Sequence, residues 1–198
     1  MADICILIPA AGASTRMRGR DKLLEEVRGQ PLLRDRVEAA LGTGTSVLVT
    51  LPPDRPLRAA ALAGLAHPRL NVVLVPDAQT GLSASLRRGA QWAMTAQADA
   101  LMVVLPDLPD LTGDDLRTML QAYDFKSVLR ATSEHGTPGH PVILPARLFD
   151  SLAKLSGDQG ARDLLRGQSV TSLALPGTHA TTDLDTPEAW AAWRAAQD

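Results

Sequence analysis

A short loop that combines small residues with cations lies near the start of the chain. It reads AAGASTRMRGRDK, begins at Ala10 directly after an apolar run, and carries Arg16, Arg18, Arg20 and Lys22. The backbone N–H groups of such a loop, with cations beside them, are suited to bind an anion such as the phosphates of a nucleotide. A surface turn with solvated cations is the alternative that the loop alone leaves open.

The loop matches neither of the two commonest phosphate-binding motifs. A Walker loop needs GxxxxGK followed by Ser or Thr, and the dinucleotide fingerprint needs GxGxxG, whereas Gly12 stands alone here. We therefore expect the backbone around 11–14 to bind an extended triphosphate whose charge Arg16 and Lys22 neutralise. Arg18 and Arg20 are interpreted as solvated neighbours.

Three aspartates are candidates for a metal site. Asp107 follows the apolar run LMVVL and stands between two prolines that present its carboxylate rigidly. Asp183 and Asp185 in TDLDTP are two residues apart and face the same side if that segment is extended, so either could join Asp107. Mg²⁺ takes one or two protein carboxylates beside water and phosphate oxygens. The alternative for Asp107 is a loop aspartate that caps backbone amides.

Two further segments carry polar groups with weaker signals. In GLSASLRRG, Gly81 permits close backbone approach, and Ser83 and Ser85 offer hydroxyls to a ribose or a base edge. An ordinary N-cap explains Ser83 equally well. In GTPGHPV, His140 is fixed between a glycine and a proline, and a lone loop histidine is more often a hydrogen-bonding group than a general base.

The elements that must position these residues alternate along the chain. Short, continuous aliphatic runs predict fully buried parallel strands, and amphipathic stretches between them predict helices. This βα alternation indicates an α/β fold with a mostly parallel, doubly wound sheet of the Rossmann type. Ligands bind beyond the carboxyl ends of such strands, so the loops after the first, third and fourth strands should line one crevice. The predicted strands are 4–8, 46–51, 70–75 and 101–105.

Helix boundaries follow from capping residues. Pro31 is predicted at the first position of a helix that ends at Gly42, Ser83 is predicted as an N-cap, and Thr112 with Asp115 resembles a capping box. Pro187 is predicted to follow the N-cap of a terminal helix. Beyond these, the sequence predicts strands at 127–132, 141–144 and 170–175 and helices over 146–154 and from 161. The segment made of the first two of these strands and the Gly- and Pro-rich loop between them is expected to cover the open end of the sheet.

Composition limits the classes of function. A chain of 198 residues with a net charge of -2 indicates one domain and no general attraction to nucleic acid or membranes. The single cysteine, Cys5, lies in an apolar run and has no intrachain partner, and no segment is long enough to cross a bilayer, which favours a cytoplasmic location.

Taken together, these motifs resemble the molybdenum cofactor cytidylyltransferase group of the MobA-like NTP transferases. The matching segments are AAGASTRM with Lys22, GLSASLRRG, PDLPDL, GTPGHPVILP, GDQGAR and DLDTPEAW, in the same order over nearly the whole chain. The resemblance implies a Rossmann-like nucleotidyltransferase that transfers CMP from CTP to the terminal phosphate of molybdopterin, with Mg²⁺ as cofactor. It also implies a molybdoenzyme or its maturation chaperone as a protein partner.

The resemblance also implies a nucleotide-binding part over 1–123, an acceptor-binding part over 124–198 and roles for individual residues. Catalytic roles fall on Arg16, Lys22 and Asp107, and metal binding on Asp107 with Asp183 or Asp185. The nucleotide-binding residues are Ala10, Ala11, Gly12, Ala13, Ser14, Arg16, Lys22, Gly81, Leu82, Ser83 and Ser85. The acceptor-binding residues are Gly136, Pro138, Gly139, His140, Pro141, Asp158 and Arg162.

Three functions remain open from the sequence. The first is the nucleotidyltransferase that acts on molybdopterin, with CTP or GTP as donor; Ala11 stands where related guanylyltransferases carry a glycine, which favours CTP. A related nucleotidyltransferase with another phosphate acceptor is the second possibility. A non-catalytic protein that delivers molybdenum cofactor is the third, since Arg16, Lys22 and Asp107 could equally bind a product.

Overall fold

A computed structural model describes residues 3–157 and 164–197 of the chain. Its centre is a seven-stranded sheet in the order β5-β4-β1-β6-β8-β7-β9, beside a separate two-stranded ribbon of β2 and β3. The strands are β1 (Ile4–Pro9), β2 (Glu26–Val27), β3 (Gln30–Pro31), β4 (Ser46–Leu51), β5 (Leu70–Leu74), β6 (Ala100–Val103), β7 (Val128–Thr132), β8 (Pro138–Pro145) and β9 (Val170–Ala174). The helices are α1 (Leu32–Leu41), α2 (Pro56–Ala61), α3 (Leu82–Thr95), α4 (Gly113–Ala122), α5 (Phe149–Ala153) and α6 (Pro187–Ala195).

Strand β1 is covered by helices on both faces. Its side chains alternate, so Ile6 packs into a core with residues of α1, α4 and α6, whereas Leu7 packs into a second core with residues of α3 and α5. Both side chains are fully buried. A strand buried on both faces must be apolar at every position, which explains the continuous run in the sequence and confirms the doubly wound α/β architecture.

The sheet is mostly parallel, as predicted. Strand β1 pairs in parallel with β4 on one side and with β6 on the other, and β4 pairs in parallel with β5. The chain therefore proceeds outward from β1 through β4 to β5 and then crosses to the opposite side of β1. This reversal makes the gap between β1 and β6 the topological switch point, where a crevice opens at the carboxyl ends of the strands.

The second half of the chain widens the sheet instead of covering its end. Strand β8 is longer than predicted because it includes Pro138–His140, and it pairs antiparallel with both β6 and β7. Strand β9 then adds in parallel to β7. The expectation that the segment flanking the Gly- and Pro-rich loop covers the open end of the sheet was wrong, because both of its strands find ladder partners within the sheet.

Strand β5 is not fully buried, contrary to the prediction. It lies at the edge of the sheet, and the side chains of Val72 and Leu74 are 44% and 57% exposed. Its neighbour β4 is buried along most of its length. A continuous apolar run therefore predicted the strand itself and overstated its burial, because an edge strand has a partner on one side only.

Helix caps agree with the sequence in part. Thr112 and Asp115 form the predicted capping box at α4, and Thr186 caps α6 with Pro187 at its first position. Helix α1 starts at Leu32, one residue after the predicted Pro31. Ser83 is not an N-cap: Gly81 precedes the first residue of α3, and the Ser83 hydroxyl donates to the Thr80 carbonyl.

Two further observations complete the fold. The helix predicted from 161 begins outside the described residues. Among the residues that are described, no helix has the length and apolar composition needed to span a membrane.

Gly139 allows β8 to contact the segment that leads to Asp183. A Cβ atom at Gly139 would lie 2.0 Å from the carbonyl oxygen of Ala180, and the N–H of His140 donates to that same oxygen. We predict that Gly139→Ala lowers the free energy of unfolding by about 1–3 kcal/mol, because backbone must move to accept the methyl group. Chemical denaturation measures this change.

Gly113→Ala is the matched control. A Cβ at Gly113, the first residue of α4, would lie 3.5 Å from the Ala39 carbonyl oxygen, which is ordinary contact, and alanine favours the helix. This variant should unfold at or above the wild-type midpoint. Equal midpoints for both variants would show that the Gly139 contact is loose.

Candidate active site at the switch point

The loop that follows β1 encloses one side of the crevice. It contains two short 3-10 turns, Thr15–Met17 and Lys22–Leu24, and its backbone is left-handed at Ser14 and Arg18. Asp21 caps the second turn by accepting a hydrogen bond from the N–H of Leu23. Lys22 is thereby fixed as the first residue of that turn.

Three carboxylates meet on the opposite side. Asp107 follows β6, and Asp183 and Asp185 come from the segment before α6, yet one oxygen of each lies within 4.8 Å of the others. The Lys22 Nζ atom donates to Asp107 Oδ2 at 2.6 Å and to Asp185, and lies 3.5 Å from Asp183 Oδ1. Arg16 pairs with Asp185 as well. The structure therefore brings together all five residues for which catalysis or metal binding was predicted.

The pKa values in this cluster reflect crowded charge. Burial raises the pKa of Asp183 to about 6, and the negative charges of Asp107 and Asp185 act in the same direction. Burial alone would also raise the pKa of Asp185, but hydrogen bonds and charges from Lys22 and Arg16 lower it overall. Burial disfavours the charged form of Lys22, yet the charges and hydrogen bonds of its carboxylate partners raise its pKa. The cluster thus has more negative charge than its two cations neutralise.

A cavity of about 470 Å³ lies between the loop and the carboxylates. Cations, carboxylates and the start of α3 share its wall, which combines donors for phosphate oxygens with a place for a sugar and a base. The predicted residues that line it are Gly12, Ala13, Ser14, Arg16, Lys22, Gly81, Leu82, Ser85, Asp107, Asp183 and Asp185.

Three residues predicted to bind nucleotide are buried and are not among those that line this cavity. Ala10 is fully buried, and its carbonyl oxygen accepts a hydrogen bond from Arg58. Ala11 packs in a small core with Val75 and Ala84. Ser83 is only 2% exposed, and its hydroxyl donates to the Thr80 carbonyl. These residues support the wall of the cavity from behind.

A second cavity, of about 730 Å³, adjoins the first. Leu82, Leu105 and Asp183 line both, so the two cavities meet beside the carboxylates. The wall of the second cavity is largely aliphatic, and its polar side chains are those of Arg130, Thr137, His140, Thr181 and Asp183. Representative aliphatic members are Leu86, Val103, Val142, Leu144, Leu152 and Leu165.

The residues predicted to bind an acceptor fall partly in this second cavity. Pro138, Gly139 and His140 line it. Gly136 is exposed, and Pro141 is buried within β8; neither is among the lining residues. Asp158 and Arg162 lie outside the described residues.

His140 is held as a neutral imidazole. Burial lowers its pKa to about 4, and the nearby positive charge of Arg130 acts in the same direction, although a backbone hydrogen bond to Val103 and the charge of Asp107 oppose the shift. Its Nδ1 atom is buried without a hydrogen-bond partner. A base with so low a pKa is a weak proton acceptor, which agrees with the interpretation that His140 is not a general base.

Sequence reasoning missed two groups of site residues. The first is Arg58 on α2, which contacts the loop after β1 and came from a helix that was not predicted. Pro56 at the first helical position was the available signal. The second is the aliphatic wall of the second cavity, whose residues come from separate elements and share no local motif.

Comparison with known proteins finds a matching family and several similar proteins. Residues 6–173 match the MobA-like NTP transferase domain. The purine catabolism protein PucB of Bacillus subtilis is 29% identical over 195 residues, with 90% of each chain covered. A molybdenum cofactor guanylyltransferase of Cereibacter sphaeroides is 28% identical, with 92% of this chain and 91% of that protein covered.

Solved structures have a similar fold. The crystal structure of Rv0371c from Mycobacterium tuberculosis H37Rv has 27% sequence identity and a TM-score of 0.81, covering 96% of each chain. A second structure of Rv0371c is a complex with manganese, and it matches with a TM-score of 0.76 at 26% identity, over 96% of this chain and 97% of that one.

The neutral state of His140 predicts an acid-dependent loss of stability. The unfolded chain binds a proton at His140 near pH 6.5, whereas the folded protein binds it only near pH 4. The contribution of His140 to the free energy of unfolding is therefore complete above pH 6.5 and is lost as the pH falls towards 4. In His140→Asn, the slope of unfolding free energy against pH in this window should be shallower by up to about 1.4 kcal/mol per pH unit.

Denaturant titrations at several pH values measure these slopes. The exposed His135, changed to Asn, is the matched control and should keep the wild-type slope. A wild-type slope in His140→Asn would show that the pKa of His140 is the same in the folded protein as in the unfolded chain.

Proposed function

The chain belongs to the MobA-like NTP transferase family, and from this premise we propose that it transfers CMP from CTP to the terminal phosphate of molybdopterin. In this reaction an oxygen of the acceptor phosphate forms a bond to the α-phosphorus of CTP. The bond between that phosphorus and the bridging oxygen breaks, and pyrophosphate leaves with the electron pair. The general activity of a nucleotidyltransferase follows from the family, and the donor and acceptor are the proposed part.

The observation that carries this proposal is the meeting of two cavities beside three carboxylates. The first cavity has the cations of the loop after β1, which suit a triphosphate, and the second has room for the body of an acceptor. Asp183 and Leu105 belong to both walls, so a phosphate of the acceptor would reach the triphosphate at this junction. Alignment of two bound reactants is a large part of catalysis in phosphoryl and nucleotidyl transfer.

The carboxylates fit a divalent cation, which we propose to be Mg²⁺. Asp107 Oδ1 is buried and lacks a hydrogen-bond partner, and the cluster carries unneutralised negative charge. Asp107 and either Asp183 or Asp185 would hold the ion, which supplies charge neutralisation for the phosphate oxygens. The manganese complex of Rv0371c supports a divalent ion in this structural group without specifying magnesium.

The protein residues neutralise charge and require no general base. Arg16 and Lys22 can move from their carboxylate partners to phosphate oxygens, because both line the first cavity. A phosphate monoester has a second pKa near 6, so it is already largely dianionic at neutral pH and can attack directly. The neutral, weakly basic His140 therefore agrees with this reaction, and its place in the second cavity favours contact with the acceptor.

Two nucleotides, CTP and GTP, are candidates for the donor. Ala11 favours CTP by the resemblance to cytidylyltransferases, whereas several relatives are guanylyltransferases, among them the Cereibacter sphaeroides protein. Ala11 is 6% exposed and packs behind the cavity wall, so any effect on the base is through the position of the backbone.

Pyrophosphate release with a nucleotide panel tests donor and acceptor together. With Mg²⁺ and molybdopterin, CTP should give at least about tenfold more turnover than GTP, ATP or UTP, since a factor of ten needs only about 1.4 kcal/mol of discrimination. Turnover with GTP alone would contradict the proposal that CTP is the donor. Turnover with a sugar phosphate and none with molybdopterin would overturn the acceptor, and tight product binding without turnover would identify a delivery protein.

Asp107→Asn tests the carboxylate cluster. We expect kcat to fall by more than about 100-fold, since even partners of metal ligands contribute 10- to 100-fold, whereas the nucleotide dissociation constant should change far less. Turnover and equilibrium nucleotide binding separate the two effects. Asp114→Asn changes an exposed aspartate at the start of α4 and should retain wild-type turnover. Full activity in Asp107→Asn would show that Asp107 is not a ligand of a catalytic metal ion.

A further inference from the structure

Arg58 is a fully buried cation in contact with the loop that follows β1. It lies on α2, between β4 and β5, and is 0% exposed. We propose that Arg58 is a positioning residue that fixes the phosphate-binding loop and Lys22 before nucleotide arrives. The inference rests on the proposed nucleotidyl transfer and extends it to a residue that does not touch the substrate.

The guanidinium group of Arg58 makes four hydrogen bonds, all to this loop. Nε donates to Asp21 Oδ2 at 2.7 Å, and Nη2 donates to Asp21 Oδ1 at 2.9 Å. Nη1 donates to the Ala10 carbonyl oxygen at 2.6 Å, and Nη2 donates to Ser14 Oγ at 3.0 Å. We call Arg58, Asp21, Ser14 and Ala10 the Arg58 network.

The Arg58 network joins the beginning, the middle and the end of the loop. Ala10 is the first residue after β1, Ser14 precedes the first 3-10 turn, and Asp21 precedes the second. These points are distant in sequence, and a single planar guanidinium sets the distances among them. A planar fork that binds a carboxylate bidentately fixes direction as well as distance, which a lysine ammonium does not.

Asp21 transmits this constraint to Lys22. Its Oδ1 atom accepts hydrogen bonds from the Leu23 N–H at 3.1 Å and from Ser14 Oγ at 3.2 Å, in addition to Arg58. Lys22 lies between Asp21 and Leu23, so its backbone cannot rotate without breaking this cap. The ammonium of Lys22 is thereby directed at the junction of the two cavities.

The backbone of Ser14 requires such support. It is left-handed, with φ 51° and ψ 37°, a conformation that costs energy for a residue with a Cβ atom and persists where the surroundings determine it. The Ser14 hydroxyl is bonded to both Arg58 and Asp21, which supplies that determination. Ser14 lines the first cavity, so its conformation shapes the wall that faces the nucleotide.

Two other roles for Arg58 fit the observations less well. Direct phosphate binding requires access to the cavity, but the guanidinium is fully buried and its bonds already point at the loop. A role in stability alone does not explain why its four bonds all go to one loop of the site.

A double variant separates positioning from stability. Arg58→Met alone leaves the Asp21 carboxylate buried without its main partner, so it should be destabilised and could fail to fold. Arg58→Met combined with Asp21→Leu removes both charges and should recover much of the lost stability, since isosteric apolar pairs can replace buried ion pairs. The recovered double variant is the protein to assay.

Kinetics and nucleotide binding give the functional readout. In the double variant, kcat with CTP should fall about 100-fold and KM for CTP should rise about tenfold, because misplacement by about 1 Å costs about that factor. Arg58→Lys should fall between the wild type and the double variant. Wild-type kcat and KM in a stable double variant would overturn the proposal.

Hydrogen exchange tests the loop without depending on activity. Backbone amides over 11–23 should exchange at least tenfold faster in the double variant than in the wild type, while amides of the β-sheet keep their rates. Unchanged exchange over 11–23 would also overturn the proposal. Arg34→Met is the matched control, because that guanidinium contacts Glu38 and the Ala63 carbonyl, and it should change neither exchange over 11–23 nor turnover.

The two proposals fail in different ways. A wild-type protein that transfers no nucleotide in the panel would overturn the proposed function, and the exchange rates alone would then decide the role of Arg58. A wild-type protein that turns over CTP, with a double variant that does so equally well, would overturn only the role of Arg58.

Discussion

Mutual repulsion among Asp107, Asp183 and Asp185 is the constraint on which the rest of the site depends. Three carboxylates with oxygens within 4.8 Å cannot all be ionised unless cations meet them, because like charges at this range disfavour ionisation. Lys22 and Arg16 supply that charge from the first loop of the chain. The carboxylates follow β6 and precede α6, so the charge balance joins the beginning of the chain to its end. A divalent ion would meet the carboxylates of this cluster, and a triphosphate would meet its cations.

Guanidinium groups position both sides of this cluster, and those of Arg58 and Arg36 are buried whereas that of Arg28 is exposed. Arg58 binds the loop that carries Lys22, as described above. On the other side, Arg28 donates to the Pro109 carbonyl at 3.0 Å and Arg36 to the Leu108 carbonyl at 3.3 Å, and both pair with Asp35 on α1. The residues that follow Asp107 are thus held by α1 much as the loop after β1 is held by α2. Since hydrogen bonds from neighbouring elements hold both loops, we expect the cavity between them to be formed before a ligand binds.

The sequence was most informative where chemistry and local pattern coincide. The β1 run, the loop with Lys22 and the position of Asp107 after β6 follow from short-range rules, and parallel-strand geometry predicted their convergence. Tertiary contacts decided the rest: Ser83 donates its hydroxyl to a turn, β5 is exposed as an edge strand, and the loop before His140 joins the sheet. The role of Arg58 required knowledge of which loop α2 packs against, and no spacing in the sequence contains that contact.

The contrast between the two cavities bears on how the proposed acceptor binds. Arg16 and Lys22 line the first cavity beside the three carboxylates. The wall of the second cavity is largely aliphatic and also includes Arg130 and His140, whose pKa is lowered by burial to about 4. A phosphate would be poorly stabilised beside the aliphatic residues, because transfer of an anion into apolar surroundings is costly, and Arg130 Nε already donates to the Gly139 carbonyl. The uncharged body of an acceptor therefore suits the second cavity, with its phosphate at the junction near Asp183, where Lys22 and a divalent ion would neutralise it. This orientation brings the acceptor oxygen towards the triphosphate, which is the order that in-line displacement at the α-phosphorus requires.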